Sequence, residues 1–144
     1  MFSKTCEYGI RATIFIAEES TKGRKTGIKE IALQIDSPEA FTAKILQTLV
    51  KYKIITSTKG PSGGFYIPEE SLSEIKLVEI VSAIDGDIVF KGCALGLDGC
   101  SDESPCPLHH EFKHIRDELE AMLRSISIAD LTKSLHSKQT FLKR

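Results

Sequence analysis

The residues best equipped for chemistry lie in one short stretch. Cys93-Ala-Leu-Gly-Leu-Asp-Gly-Cys100-Ser-Asp-Glu-Ser-Pro-Cys106-Pro-Leu-His109-His110 holds three of the four cysteines and two of the four histidines. Six residues separate Cys93 from Cys100, and five separate Cys100 from Cys106. Gly92, Gly96 and Gly99 supply the backbone freedom needed to wrap thiolates around one centre. Thiolates gathered this closely repel one another unless a cation or cluster neutralises them, so the spacing points to a soft metal or an iron-sulfur centre. Zinc is the first rival. Its structural sites draw ligands in close pairs such as C-x-x-C, and this chain has no such pair.

Clusters usually take four ligands, and the loop holds three cysteines. His109 follows Cys106 by three residues, one helical turn on, where both side chains can face the same centre. His110 points elsewhere on that helix, and His114 and His136 read as solvated surface residues. Cys6 stands alone on the first helix as a small core residue, or as a thiol that approaches a partner's loop in a dimer.

The elements that must position this loop can be read on either side of it. Apolar positions Ile10, Ala12, Thr13, Ile14, Ile16 and Ala17 predict a largely buried helix over 4–19. A polar, basic loop from Ser20 to Gly27 ends it. Ile28, Ile31, Ala32 and Ile35, at i, i+3, i+4 and i+7, predict a second helix over 28–35. Ser37 as cap, Pro38 at the first helical position and Glu39 near the positive dipole end predict a third helix, running to about Lys53. Its inward stripe is Phe41, Ile45, Leu46, Leu49 and Val50, which leaves Thr42, Lys44, Gln47 and Lys51 on other faces.

Two helices joined by a tight turn make a helix-turn-helix. The β-prone runs of 54–67, folded about Lys59-Gly60-Pro61-Ser62-Gly63-Gly64, add a hairpin in the position of a wing. In such folds the second helix enters the major groove of double-stranded DNA and a basic hairpin tip reaches the backbone or minor groove. The expected DNA contacts are Ser37, Thr42, Lys44, Gln47, Lys51, Lys59 and Ser62. Gln47 suits adenine, and the lysines supply salt-dependent affinity.

A further helix is expected over 71–85, stopped by Asp85-Gly86-Asp87. After the cysteine loop, Ser104-Pro105 starts a long helix. On it Leu108, Phe112, Ile115, Leu119, Met122 and Ile126 are spaced alternately four and three residues apart. That is a heptad seam, and it predicts a homodimer. A short helix over 128–135 precedes the tail. The fold class is mainly α with a small β-hairpin. Its expected parts are a winged helix-turn-helix domain over 1–85, a cysteine-rich loop over 86–104, and a dimerisation helix with tail over 105–144.

Composition agrees with a globular chain: 41% of the residues are hydrophobic. The net charge of −1 hides an asymmetry. Residues 1–67 carry ten Lys or Arg against six Asp or Glu, and residues 68–144 carry nine against fourteen. The basic half suits a polyanion. With no signal-peptide pattern and no apolar run longer than that around Ala12 to Ala17, the expected location is cytoplasmic, without a membrane partner. Thiols stay reduced there, which favours metal or redox chemistry over structural disulfides. No nucleophile-base pair, phosphate loop or paired-acid signature marks an enzyme or a small-molecule substrate site.

Together these residues resemble the iron-sulfur cluster regulators, which include the nitric-oxide-sensing repressors, over nearly the whole chain. The wing Lys59-Gly60-Pro61-Ser62-Gly63-Gly64-Phe65 is similar to that family's R-G-x-x-G-G-Y pattern, and Cys93, Cys100 and Cys106 match its three-cysteine loop. The resemblance implies a [2Fe-2S] or [4Fe-4S] cluster on those cysteines. It also implies a fourth ligand from His109, as in the cluster-assembly regulators, or from the partner's first helix at the position of Glu7, as in the nitric-oxide repressors. The first cysteine gap is six residues where the best-known members have five, and base-reading positions of the family are here Pro38, Ala40 and Ala43. The expected function is a DNA-binding repressor whose cluster senses redox state, nitric oxide or iron-sulfur status. The alternatives are a thiol-redox or zinc-stabilised regulator of the same fold, and a cluster carrier or electron-transfer protein.

Overall fold

A computed structural model describes residues 1–142. The elements run α1 (Lys4–Thr21), α2 (Ile28–Ile35), α3 (Glu39–Lys51), β1 (Thr56–Thr58), β2 (Gly64–Tyr66), a 3-10 turn (Glu69–Ser71), α4 (Leu77–Asp85), α5 (Ile88–Lys91), α6 (His109–Ser125) and α7 (Ile128–His136). The mainly helical winged helix-turn-helix expected from the sequence is the fold observed.

Helix α1 is the spine. Ser3 caps it by accepting the Cys6 N–H at 3.0 Å, which meets one of the orphan donors of the first turn. Ala12, Ile16 and Ala17 then pack with Ile31, Leu46, Leu49, Ile80 and Val81 in one core. Each fully buried large aliphatic there contributes roughly 1.5–3 kcal/mol. At Gly9 any Cβ would collide with the Ile84 side chain, so the small residue lets α1 and α4 close on each other. Cys6 is fully buried, the core role expected of it.

The turn between α2 and α3 is tight. Asp36 adopts the left-handed conformation, with φ 57° and ψ 54°, which Asp tolerates better than most residues. Ser37 does not cap α3 as expected. Its N–H donates to Ala32 O at 3.0 Å, closing the end of α2, and the next helix starts at Glu39 with Pro38 before it. The wing pairs Thr56 with Tyr66, Ser57 with Phe65 and Thr58 with Gly64. A side chain at Gly63 would strike the Thr58 carbonyl, so its glycine is a steric requirement of the hairpin. Phe65 also exchanges backbone hydrogen bonds with Thr26, at 3.0 and 2.8 Å, which moors β2 to the loop before α2.

Two further expectations are corrected. The helix expected over 71–85 is confined to Leu77–Asp85. Its first half is drawn into a longer-range pairing: Leu77 N–H donates to Ile126 O and Ile128 N–H to Ile75 O, both at 3.0 Å, so that segment's backbone is satisfied across the fold. The long helix starts at His109 instead of near Pro105. Helix α7 packs on the body through buried Ile128 and Thr132.

On α6 the expected seam lies open: Phe112, Ile115 and Met122 are exposed, and Leu119 is half-buried. Leu123, outside the heptad set, is fully buried and packs in the core, and Leu119 packs against it.

Candidate functional site

The cysteine loop is built between two short helical turns. Helix α5 ends at Lys91, and Gly92 follows with its carbonyl accepting from the Arg116 guanidinium of α6. A turn closed by Gly96 N–H on Cys93 O, at 3.0 Å, lifts the chain away from Cys93. It returns through Cys100 and Cys106, and the His109 N–H donates to Cys106 O at 3.0 Å as α6 begins. That turn sets the two residues on one side, as their spacing requires.

Cys93 Sγ lies 3.7 Å from Cys106 Sγ, and the Cys106 N–H points at Cys100 Sγ at 3.4 Å. The three sulfurs all lie within 4.8 Å of one another. His109 is buried, with Nδ1 3.2 Å from Cys100 Sγ and Nε2 3.0 Å from Asp102 Oδ1. Backbone N–H groups of Leu97 and Leu95 hold the Cys93 thiol down to about 7, so it is substantially thiolate near neutrality. At Cys100 the Cys106 N–H favours the thiolate, but partial burial and the two neighbouring thiols outweigh it and the net shift is upward. Burial, with Asp85 nearby, pushes Cys6 up to about 12, and it takes no part in this group.

Among the described residues, the structure therefore groups Cys93, Cys100 and Cys106, while His109 touches Cys100 and is grouped with Asp102 and His110. Glu7 is exposed on the first turn of α1 and paired with Lys4 at 2.9 Å, outside that group. Asp102 escaped sequence reasoning, since one acidic residue in a loop of several carries no signal of its own.

The second candidate surface is formed by α3 and the wing. Lys44, Gln47 and Lys51 are exposed along α3, Lys59 and Ser62 are exposed at the hairpin tip, and Ser37 is half-buried at the turn. Thr42 does not share that face. It is fully buried with its hydroxyl donating to Pro38 O at 3.0 Å, because α3 turns this position toward the core and leaves Phe41 partly exposed. Lys25 is added to the surface: Thr26 pairs with Phe65, which sets the Lys25 ammonium 5.0 Å from the Tyr66 ring beside the wing. The basic loop around it was visible in the sequence, but its attachment to β2 was not.

The Rrf2 family, described as iron-dependent transcriptional regulators, matches residues 2–134. This chain belongs to the Rrf2 family. It is 28% identical over 133 residues to an Aquifex aeolicus protein assigned as an HTH-type transcriptional regulator, covering 91% of this chain and 90% of that one. It is 25% identical over 124 residues to the transcriptional regulator IscR of Photorhabdus laumondii, covering 86% of this chain and 74% of the relative. The fold is shared with CymR, the global cysteine regulator of B. subtilis, at a TM-score of 0.75 and 22% identity over 92% of this chain and 96% of CymR. T. potens IscR shares it at a TM-score of 0.74 and 20% identity, over 98% of this chain and 92% of the other.

As an Rrf2 regulator the protein is a DNA-binding transcription factor and not an enzyme. Among the described residues no helix is long and apolar enough to cross a membrane. The donor types suit the iron of the family description: three sulfurs within 4.8 Å of one another and an imidazole nitrogen facing one of them are soft and borderline ligands.

Proposed function

We propose that this Rrf2 regulator is a homodimeric repressor whose DNA binding is controlled by an iron-sulfur cluster on Cys93, Cys100, Cys106 and His109. The observation that carries the reading is the grouping of the three thiols, with His109 Nδ1 3.2 Å from Cys100 Sγ. When bound, the cluster would supply reversible one-electron chemistry and reactivity toward small oxidants or nitric oxide. The chain's own residues do the rest. Cys93 follows α5, and Cys106 and His109 belong to the turn that opens α6, so a group held by all of them ties the loop to that helix. The open stripe of Phe112, Ile115 and Met122 would pair with its copy. This joins residues 105–144 of two chains and sets the separation of the two 1–85 units. A two-fold operator needs half-sites about 34 Å apart, so loosening the 86–104 loop shifts the population of binding-competent dimers. Ser37, Lys44, Gln47, Lys51, Lys59 and Ser62 would meet phosphates or base edges. The partner's Glu7 remains the competing fourth ligand.

A second reading, a thiol-redox regulator without a cluster, is favoured by the short separation of Cys93 and Cys106 and the thiolate character of Cys93. Anaerobic purification with visible spectroscopy and iron and sulfide analysis separates the two, comparing wild type with Cys100→Ala. A cluster regulator is coloured and loses colour and iron on substitution. A colourless, sulfide-free wild type whose DNA binding is unchanged by Cys100→Ala would defeat the cluster reading. Loss of the spectrum in His109→Ala but not in Glu7→Ala assigns the fourth ligand.

A further inference from the structure

We propose that Asp102 is the positioning residue of this centre: its carboxylate accepts the His109 Nε2–H and thereby turns Nδ1 toward the thiols as the fourth donor. The inference rests on the cluster reading above and goes beyond it, because it gives Asp102 a role outside the proposed ligand set.

The geometry has three parts. First, Asp102 Oδ1 lies 3.0 Å from His109 Nε2, and Cys100 Sγ lies 3.2 Å from Nδ1 of the same ring, so one imidazole is held between a carboxylate and a thiol. Second, the carboxylate is presented by a closed turn. Ser101 N–H donates to Ser104 O and Ser104 N–H donates to Ser101 Oγ, both at 3.2 Å, which fixes the backbone on either side of Asp102. Third, the ring is nearly enclosed, at 9% exposure, and His110 meets it edge-on with centroids 5.1 Å apart.

Chemistry then selects the tautomer. A carboxylate only accepts, so Nε2 must carry the proton, and a neutral imidazole has only one to give. Nδ1 is left with its lone pair directed at Cys100 Sγ. Among the described residues no other acceptor reaches His109 Nε2, although Asp98 and Glu103 lie in the same loop. Histidine ligands to metals generally need such an outer partner to fix the tautomer and ring orientation, and its removal costs roughly 10- to 100-fold in metal affinity.

The test uses the full-length, cluster-loaded protein in four forms: wild type, Asp102→Ala, Asp102→Asn and His109→Ala. Each is followed by its visible circular dichroism spectrum and by the rate of cluster loss to an iron chelator. Asp102 is exposed, so its variants fold. Asp102→Ala should lose the cluster roughly 10- to 100-fold faster than wild type, with a spectrum displaced toward that of His109→Ala. Asp102→Asn keeps an acceptor oxygen and should retain the wild-type spectrum. If Asp102→Ala matches wild type in spectrum and rate while His109→Ala departs from it, the positioning role is overturned and the cluster reading stands. An Asn variant as labile as the Ala variant would also overturn the acceptor role. If His109→Ala keeps the wild-type spectrum, or wild type contains no iron and sulfide, the underlying reading fails and this inference falls with it.

Discussion

Arg11→Ala tests how helix α3 is held. The Arg11 guanidinium donates to Ile35 O, the last residue of α2, at 2.7 Å, and its central carbon lies 4.9 Å from the Tyr8 ring centroid. Tyr8 in turn meets Phe41 of α3 edge-on, with centroids 5.9 Å apart. One side chain of α1 thus grips the turn that sets the angle of α3. A hydrogen bond from a charged donor contributes about 1.5–3 kcal/mol. The cation-aromatic contact adds about 0.5–1 kcal/mol, and a cation at the negative end of α2 adds about 0.3–1 kcal/mol. Against these, Arg11 Nε is buried without a partner, a cost of about 1–3 kcal/mol that truncation relieves. The net loss should be about 2 kcal/mol, a fall of roughly 8 °C in Tm for a chain of this size. Arg11→Lys should recover only part of it, since an ammonium cannot both stack and reach the carbonyl. Urea denaturation reads the stability, and fluorescence anisotropy with operator DNA reads the function at temperatures where the variant is still folded. DNA binding should weaken more than the unfolded fraction explains. A stability change under about 0.5 kcal/mol with unaltered DNA affinity would show that the turn is held by other contacts and refute the reasoning.

Three further outcomes follow from the geometry. Lys59→Gln at the wing tip should flatten the salt dependence of DNA binding by roughly 0.9 in log-log slope for each phosphate it ceases to neutralise, with little change in base preference; an unchanged slope would remove Lys59 from the interface. Ile115→Glu, on the open stripe of α6, should yield folded monomers by analytical ultracentrifugation, whereas Leu123→Ala should cost about 2–5 kcal/mol of stability because that side chain is fully buried. In the metal-free protein, iodoacetamide should label Cys93 before Cys6, with the Cys93 rate rising through about pH 7 as its thiolate forms. Because folding lowers this thiol's pKa, its contribution to stability grows as pH rises through that value and is absent in acid.

Much of this protein is legible in its chain because much of it is local. Helix α2 begins and ends where its apolar spacing says, the wing forms where Gly63 and Gly64 permit it, and the cysteines converge because glycines and a helix start are spaced to bring them round. Those features depend on a few neighbouring residues, so periodicity and turn chemistry reveal them. What sequence alone misassigned depends on distant partners. Residues 72–76 carry helix-compatible residues, yet Ile75 and Leu77 pair their backbones with residues 126–128, some fifty positions away. Thr42 looks like a surface residue until α3 is rotated by the fit of Ile45, Leu46 and Leu49 against α1, which turns its hydroxyl inward. Leu123 lies off the heptad, and only the docking of α6 on the body buries it. The cysteine loop carries both lessons. Its three sulfurs follow from spacing, whereas the pairing of His109 with Asp102 exists only because the folded loop returns over the first turn of α6. A side-chain hydrogen bond across seven residues has no periodic signature, so only the tertiary structure could decide it.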